Sequence, residues 1–354
     1  MAVRFDRNTN AHASLGAAEA PGADSSNSLP LRVQYVSASS PGMSSQILGE
    51  ICFGAHAVSP RNALHPRVDV ALQPLDGAPR REIWTSDLPV EYGQRDGIQY
   101  ALTEEYLFGV IDEPVDVTGP DFEERVQTVY GAIFSLTQSK NHPHLLRMWN
   151  YFPGMNTESQ GLENYQRFCR ARSLAFQQHY GDFIEHLPSA SAIGTLGGGL
   201  AVYFIASRVA GLHRENPRQM SAFSYPPQYG PRSPSFARGT LKRVGSGEAF
   251  FISGTASIVG HRSMHAGDVR AQAQEALRNI ETLIDSTRRD EGMRFQGSRD
   301  LDNLKVYVRR PADLPLVREV LTERLGSGAH VLYLQGDICR HDLLVEIEAT
   351  LVAG

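Results

Sequence analysis

Glu346 and Glu348 are the side chains of this chain best placed to move a proton. They stand two residues apart in Leu343-Leu344-Val345-Glu346-Ile347-Glu348-Ala349, where Leu343, Val345, Ile347 and Ala349 alternate against Leu344, Glu346 and Glu348. Period-two alternation is strand patterning, so both carboxyls share one face. Such a face is either solvated or holds an acid whose proton affinity burial has altered. Arg172 is the second candidate. It interrupts the helical apolar stripe Leu162, Tyr165, Cys169, Phe176. A guanidinium on a core face needs a reason to be there. The alternatives are an internal salt bridge, a stem lying over the core with its head in water, or a clamp for an anionic ligand.

Other chemistry-bearing patterns carry less. His261 and His265 are four apart but fall in the loop expected over 260–267, with no third metal ligand nearby. Gly197-Gly198-Gly199 lacks the Lys and Ser/Thr of a phosphate loop and reads as a turn between strands. No metal site is expected. Cys52, Cys169 and Cys339 lie far apart, which excludes a disulfide framework and fits a reducing, cytoplasmic setting. A net charge of -5 gives no sign of nucleic-acid binding, and no apolar run is long enough to span a bilayer.

Positioning these residues requires a large scaffold. The 354 residues, 41% hydrophobic and 21% charged, suit a soluble globular chain of two domains. Residues 1–28, rich in Ala, Gly, Ser and Asn, are expected to form a disordered tail. Short strands follow from Leu31 to Ile111. Asp121 is placed to cap a helix carrying Phe122, Val126, Val129, Tyr130, Ile133 and Phe134. Next come a strand, Leu145 to Phe152, ended by Pro153-Gly154, and a helix over 162–180. The second half repeats this order. A strand runs from Phe250, Asp268 caps a helix, Leu304 to Arg309 is a strand ending near Pro311, and a helix ends at Gly326. Aligning Pro153 with Pro311 sets Tyr151 opposite Arg309. The expected fold is α+β: two mixed-sheet units, each with helices packed on one face. The expected domains are 29–188 and 189–354, with the break near Leu187-Pro188-Ser189. The Pro-rich stretch from Ser224 to Pro234, with Tyr225, Tyr229 and Arg232, suits a loop over a pocket.

In the second half, Ile252-Ser253-Gly254, the helix Ala271-Gln272-Ala273-Gln274-Glu275-Ala276-Leu277-Arg278-Asn279-Ile280 and Val345-Glu346-Ile347-Glu348-Ala349 resemble the RidA/YjgF family. The resemblance implies two RidA/YjgF-like units, a trimer or a monomer that replaces one, and ligand sites at clefts between units. The final-strand acid of that family falls on Glu346. Its substrate-clamping arginine is missing, because this chain has His330-Val331 there. That departure argues against enamine or imine deamination. From about Leu31 to the end the chain is similar to the chorismatases. The similarity rests on four strings: Pro143-His144-Leu145-Leu146-Arg147-Met148-Trp149-Asn150-Tyr151, Tyr165-Gln166-Arg167-Phe168-Cys169-Arg170-Ala171-Arg172, Gln228-Tyr229-Gly230-Pro231-Arg232-Ser233-Pro234-Ser235-Phe236-Ala237-Arg238 and Ser253-Gly254-Thr255-Ala256-Ser257-Ile258-Val259-Gly260-His261.

That resemblance implies a cofactor-free enzyme whose partner is a small molecule, chorismate. Arg172 and Arg309 would hold its two carboxylates, and Tyr151, Tyr203 and Tyr225 would add hydroxyls and apolar walls. Cleaving the enolpyruvyl ether needs protonation of its methylene carbon, a task for Glu346 kept neutral by burial. Glu348 would be the fallback acid or would orient its neighbours. Gly254 and Cys339 resemble the branch that forms 3-hydroxybenzoate and pyruvate. The other branch adds water and yields a dihydroxycyclohexadiene acid.

Overall fold

In a computed structural model of the chain, the residues described are 31–40, 46–54 and 64–353. The tail expected over 1–28 lies outside them. Among the described residues, three large sheets and four α-helices carry the architecture. The first sheet has four strands, with Arg80–Ser86 between Arg32–Ser37 and Gln46–Phe53, and Arg67–Val70 outermost.

The second sheet runs in the order Ser189–Thr195, His144–Pro153, Leu200–Ser207, Tyr106–Glu113, Ile98–Leu102, Glu91–Arg95. The third runs Val331–Gln335, Leu304–Val308, Val345–Ala353, Gly247–Ala256, Gly239–Val244, Leu212–Arg214, with Gln73–Pro74 added at one edge. The two orders correspond strand for strand. In each, the first two repeat strands named are parallel and the second and third antiparallel. Helices α1 (Phe122–Ser139) and α2 (Asn164–Tyr180) belong to the first repeat, and α3 (Val269–Glu291) and α4 (Leu314–Leu325) to the second. The duplication is thus a property of the topology.

Sheet membership moves the junction of the two units. Ser189–Thr195 and Leu200–Ser207 pair with His144–Pro153, so they complete the first unit's sheet. We place the junction at 208–211 rather than near Pro188. Removing those two strands would strip His144–Pro153 of both neighbours and leave its backbone unpaired.

Local chemistry accounts for the element ends. Asp268 caps α3, its carboxylate accepting from the Ala271 N–H at 3.0 Å, and Gly292 ends the helix at φ 64°. Asp121 precedes α1 without a side-chain cap, because its own backbone is already helical at φ -85°, ψ -3°. The helix expected from Leu162 starts at Asn164, because Leu162–Glu163 pairs with Glu158–Ser159 instead.

The helices cover one face of each repeat. Phe122, Tyr130, Phe134, Phe168 and Phe176 pack beneath α1 and α2, and Ala276, Leu277, Ile280, Val317 and Val320 beneath α3 and α4. The opposite faces of all three sheets meet in a common core that includes Trp84, Phe108, Trp149, Tyr203 and Phe251. Strands between these layers are buried on both faces, as Leu200–Ser207 is at every residue. No helix among the described residues is long and apolar enough to cross a membrane.

Candidate active site

A cavity of about 200 Å³ opens where the edge of the first repeat meets the second. From the first repeat, α2 supplies Tyr165, Cys169 and Arg172, and strand Ser189–Thr195 supplies Ala190, Ser191 and Ala192. From the second come Gly254, Cys339, Arg340 and Glu346. The connection between strands Leu212–Arg214 and Gly239–Val244 of the second repeat supplies Tyr225, Tyr229, Ser235, Phe236 and Arg238. It holds two short 3-10 turns, Ala222–Ser224 and Pro227–Tyr229. The Pro-rich stretch is therefore a cavity wall.

A β-bulge shapes the floor. Ile252 pairs with Ala349 and Thr255 with Ile347, so Ser253 and Gly254 together oppose Glu348. Bulges re-aim side chains. Here the bulge brings Gly254 against Glu346: a Cβ on Gly254 would lie 1.9 Å from Glu346 Oε1 and 3.0 Å from Ser191 Oγ. Only glycine leaves the acid its place.

Both glutamates of the last strand are buried, Glu346 at 5% exposure and Glu348 at 3%, so the solvated alternative fails. Their surroundings drive them apart. Burial, and next the charge of Glu348, push the Glu346 carboxyl up to about 8, against the pull of Arg147, Arg238 and Arg309. Burial also pushes Glu348 up, but Lys305, Arg147 and the Ser191 hydrogen bond outweigh it and hold that carboxyl below its usual range. The two carboxyls are thus driven in opposite directions, Glu346 toward its protonated form and Glu348 toward its anion. Only Glu346 lines the cavity.

Cations surround the remaining wall. Arg172 is 3% exposed and has no ion pair among the described residues. Its Nε donates to the Tyr130 hydroxyl at 2.7 Å, one Nη to the Ser235 carbonyl, and the other approaches Met148 Sδ at 3.7 Å. Tyr130 donates onward to Asn150 Oδ1 at 2.6 Å, and Asn150 donates to the Ser191 carbonyl at 2.9 Å. Arg238, also 3% exposed, donates to Tyr225 Oη and the Met220 carbonyl, both at 2.8 Å, while its buried Nε has no partner. Arg340 donates to the His261 carbonyl at 2.9 Å, and its guanidinium lies 3.9 Å from the Tyr229 ring centre. Burial lifts the thiols of Cys169 and Cys339 to about 12, with Glu346 adding to the rise at Cys339. Both are neutral walls rather than nucleophiles at pH 7. A site that gathers three guanidiniums around a buried carboxyl pushed toward its protonated form suits a small dianion that must receive a proton.

The structure brings Glu346, Arg172, Tyr225, Gly254 and Cys339 to this cavity, but not the other three residues singled out. Tyr151 and Tyr203 face the common core. Tyr151 Oη sits 2.9 Å from Tyr307 Oη, and Tyr203 donates to Glu82 at 3.2 Å. On a strand buried on both faces, alternation gives no sign of which face holds a ligand. Arg309 is spent on the protein itself: its guanidinium makes five bonds, to Leu343 O, Asn156 Oδ1, Asp337 Oδ1, Ile338 O and Arg340 O. It ties down the 336–344 loop that carries Cys339 and Arg340, and no donor remains for a ligand. Two further arginines line the cavity and were not singled out, Arg238 and Arg340. The first ends the string from Gln228 and the second follows Cys339, so both adjoin residues already noted. Neither belongs to a periodic element that would have shown its direction. His261 and His265 have separate partners, Tyr229 Oη at 3.1 Å and Glu275 at 3.2 Å.

Comparison with known proteins agrees on one family. Residues 82–206 match the family described as Chorismatase FkbO/Hyg5-like, N-terminal. A Streptomyces hygroscopicus protein named 3-hydroxybenzoate synthase is 40% identical over 296 residues, which cover 81% of this chain and 86% of the relative. A second protein from that organism, named Chorismatase, is 42% identical over 299 residues, covering 79% and 85%. A crystal structure of a chorismatase superposes with a TM-score of 0.84 at 38% identity, covering 91% of this chain and 98% of that one.

Proposed function

The chain belongs to the chorismatase family, and we propose that its cavity cleaves chorismate to 3-hydroxybenzoate and pyruvate. The observation that carries this reading is the buried Glu346 in a cavity lined by Arg172, Arg238 and Arg340, its carboxyl pushed toward the protonated form by burial and by Glu348. Chorismate is a dianion, and guanidiniums hold carboxylates through paired donors. The free Nε of Arg238 supports its role as one clamp.

Glu346 transfers its proton to the methylene carbon of the enolpyruvyl ether, leaving an oxocarbenium ion and a carboxylate. The neighbouring ring hydroxyl of the substrate then attacks the ether-bearing ring carbon: a C–O bond forms there as the ether bond breaks, pyruvate leaves, and the hydroxyl proton returns to Glu346. The resulting epoxide opens at the carbon that first bore the hydroxyl, the other carbon loses its proton to the oxygen, and the ring aromatises as 3-hydroxybenzoate. Chorismate divides between hydroxybenzoate and pyruvate with no net water. Two residues support this internal route. Gly254 leaves room beside the acid, and the neutral Cys339 thiol holds water poorly. The three sheets already meet within one chain, which supports a monomeric enzyme.

The acid works only when protonated. Activity is therefore present below its pKa and lost as pH rises through about 8. The expected kcat/KM for chorismate falls on an alkaline limb near pH 8. A profile flat to pH 10 would remove Glu346 as the proton donor. Replacing Arg238 with Met is expected to raise KM by about 10-fold or more, the worth of a charge-assisted hydrogen bond. An unchanged KM would place Arg238 outside the substrate contacts.

A further inference from the structure

The Glu348 carboxylate does not reach the cavity, yet it is among the most heavily bonded groups in the molecule. Its Oε1 accepts from Trp149 Nε1 at 2.6 Å and Lys305 Nζ at 2.9 Å, and its Oε2 accepts from Arg147 Nη2 at 2.9 Å and from the Ser191 hydroxyl. Lys305 is held on its far side by Glu82 at 2.7 Å and donates to the Tyr203 hydroxyl. Arg147, Glu82 and Lys305 are all nearly inaccessible, at 1%, 0% and 2% exposure. A buried ionic cluster of this kind is costly to assemble and is seldom the best route to stability. Its connections point toward the acid. Ser191 Oγ, bonded to Glu348 and Arg147, also accepts the Gly254 N–H at 2.9 Å. That N–H belongs to the bulge that seats Glu346.

Resting on the reading of Glu346 as the acid, we propose that Glu348 is a positioning residue for it: a buried carboxylate, held by Lys305 and Arg147, that seats the Glu346 carboxyl through Ser191 and the 253–254 bulge. The hydrogen bonds fix the place. The like charge two residues along the same face opposes ionisation of Glu346.

Charged and titratable groups act on Glu346 from each neighbouring element. Glu348 lies on its own strand, Arg147 on strand His144–Pro153, and Arg238 just before strand Gly239–Val244. Arg309 follows strand Leu304–Val308, Cys339 sits on the 336–344 loop, and Tyr165 on α2. Glu348 is the only carboxylate among them. The arginines pull the other way, so its removal leaves burial alone to oppose them.

The test is the alkaline limb of kcat/KM for chorismate in Glu348→Gln and Arg147→Met, each beside the unsubstituted enzyme. Glu348→Gln removes the anion, and the limb is expected to fall by about 1 pH unit or more. Arg147→Met removes a cation that favours ionised Glu346, and the limb is expected to rise. A residue that merely held the fold would lower kcat without moving the limb in either direction. Limbs that stay in place in both variants would overturn the proposal. If Glu348→Gln does not give a cooperative thermal transition, Ser191→Ala decides: with the bridge from Glu348 to the bulge cut, kcat is expected to fall with KM unchanged, and an unchanged kcat would overturn the proposal. Failure of the underlying reading looks different: the unsubstituted enzyme would then show no limb, or no turnover, for any variant to shift.

Discussion

Replacing Glu346 with Gln is expected to lower kcat for chorismate by about 10²–10⁴-fold, the usual worth of a positioned general acid. The dissociation constant is expected to change only a few-fold. Gln keeps the shape of the side chain but has no proton to give to carbon. In the proposed reading binding rests on the guanidiniums of Arg172, Arg238 and Arg340, which line the cavity and which the substitution leaves in place. A fall in binding alone, with kcat preserved, would show that Glu346 only lines the cavity.

Replacing Gly254 with Ala is expected to cost about 10²-fold in kcat with little loss of stability. The added Cβ would lie 1.9 Å from Glu346 Oε1, and nothing can remain at that distance. The carboxyl is the far end of a flexible side chain, so it is the part that moves. The Ser191 hydroxyl is pinned by Arg147, Glu348 and the Gly254 N–H and yields less readily. A displacement of about 1 Å in a reacting group can cost about 10²-fold in rate. Thermal melting and kinetics of the same preparation check this. A large drop in melting temperature with kcat intact per folded molecule would mean that Gly254 serves the fold and not the acid.

These expectations separate what the residue pattern could show from what needed three dimensions. The strand position of Glu346 was legible because alternation sets it on one side of a strand among apolar neighbours. Its separation from Glu348 was only half legible. Two carboxyls on one face look alike until Lys305, Arg147 and Ser191 converge on one of them from distant strands. Arg172 was legible because helical spacing placed a cation where apolar groups belong. Tyr203 misled for a physical reason. Strands between two packed layers are apolar on both faces, and Tyr203 points into the common core. Arg309 misled because a side chain's demand for acceptors shows in a sequence, but its supply from the backbone of another loop does not. The duplicated order of strands and helices was visible along the chain. The location of the cavity at the meeting of the repeats was not, because it depends on how Ser189–Thr195 lies against the 253–254 bulge.

The most direct test of the central claim is to incubate the purified protein with chorismate, without added metal or cofactor, and to resolve the products by chromatography and mass. Pyruvate and 3-hydroxybenzoate in equal amounts are the predicted result. Pyruvate with a dihydroxycyclohexadiene acid would keep the cleavage but contradict the internal route assigned to Gly254 and Cys339. Chorismate recovered unchanged relative to a blank would contradict the account as a whole.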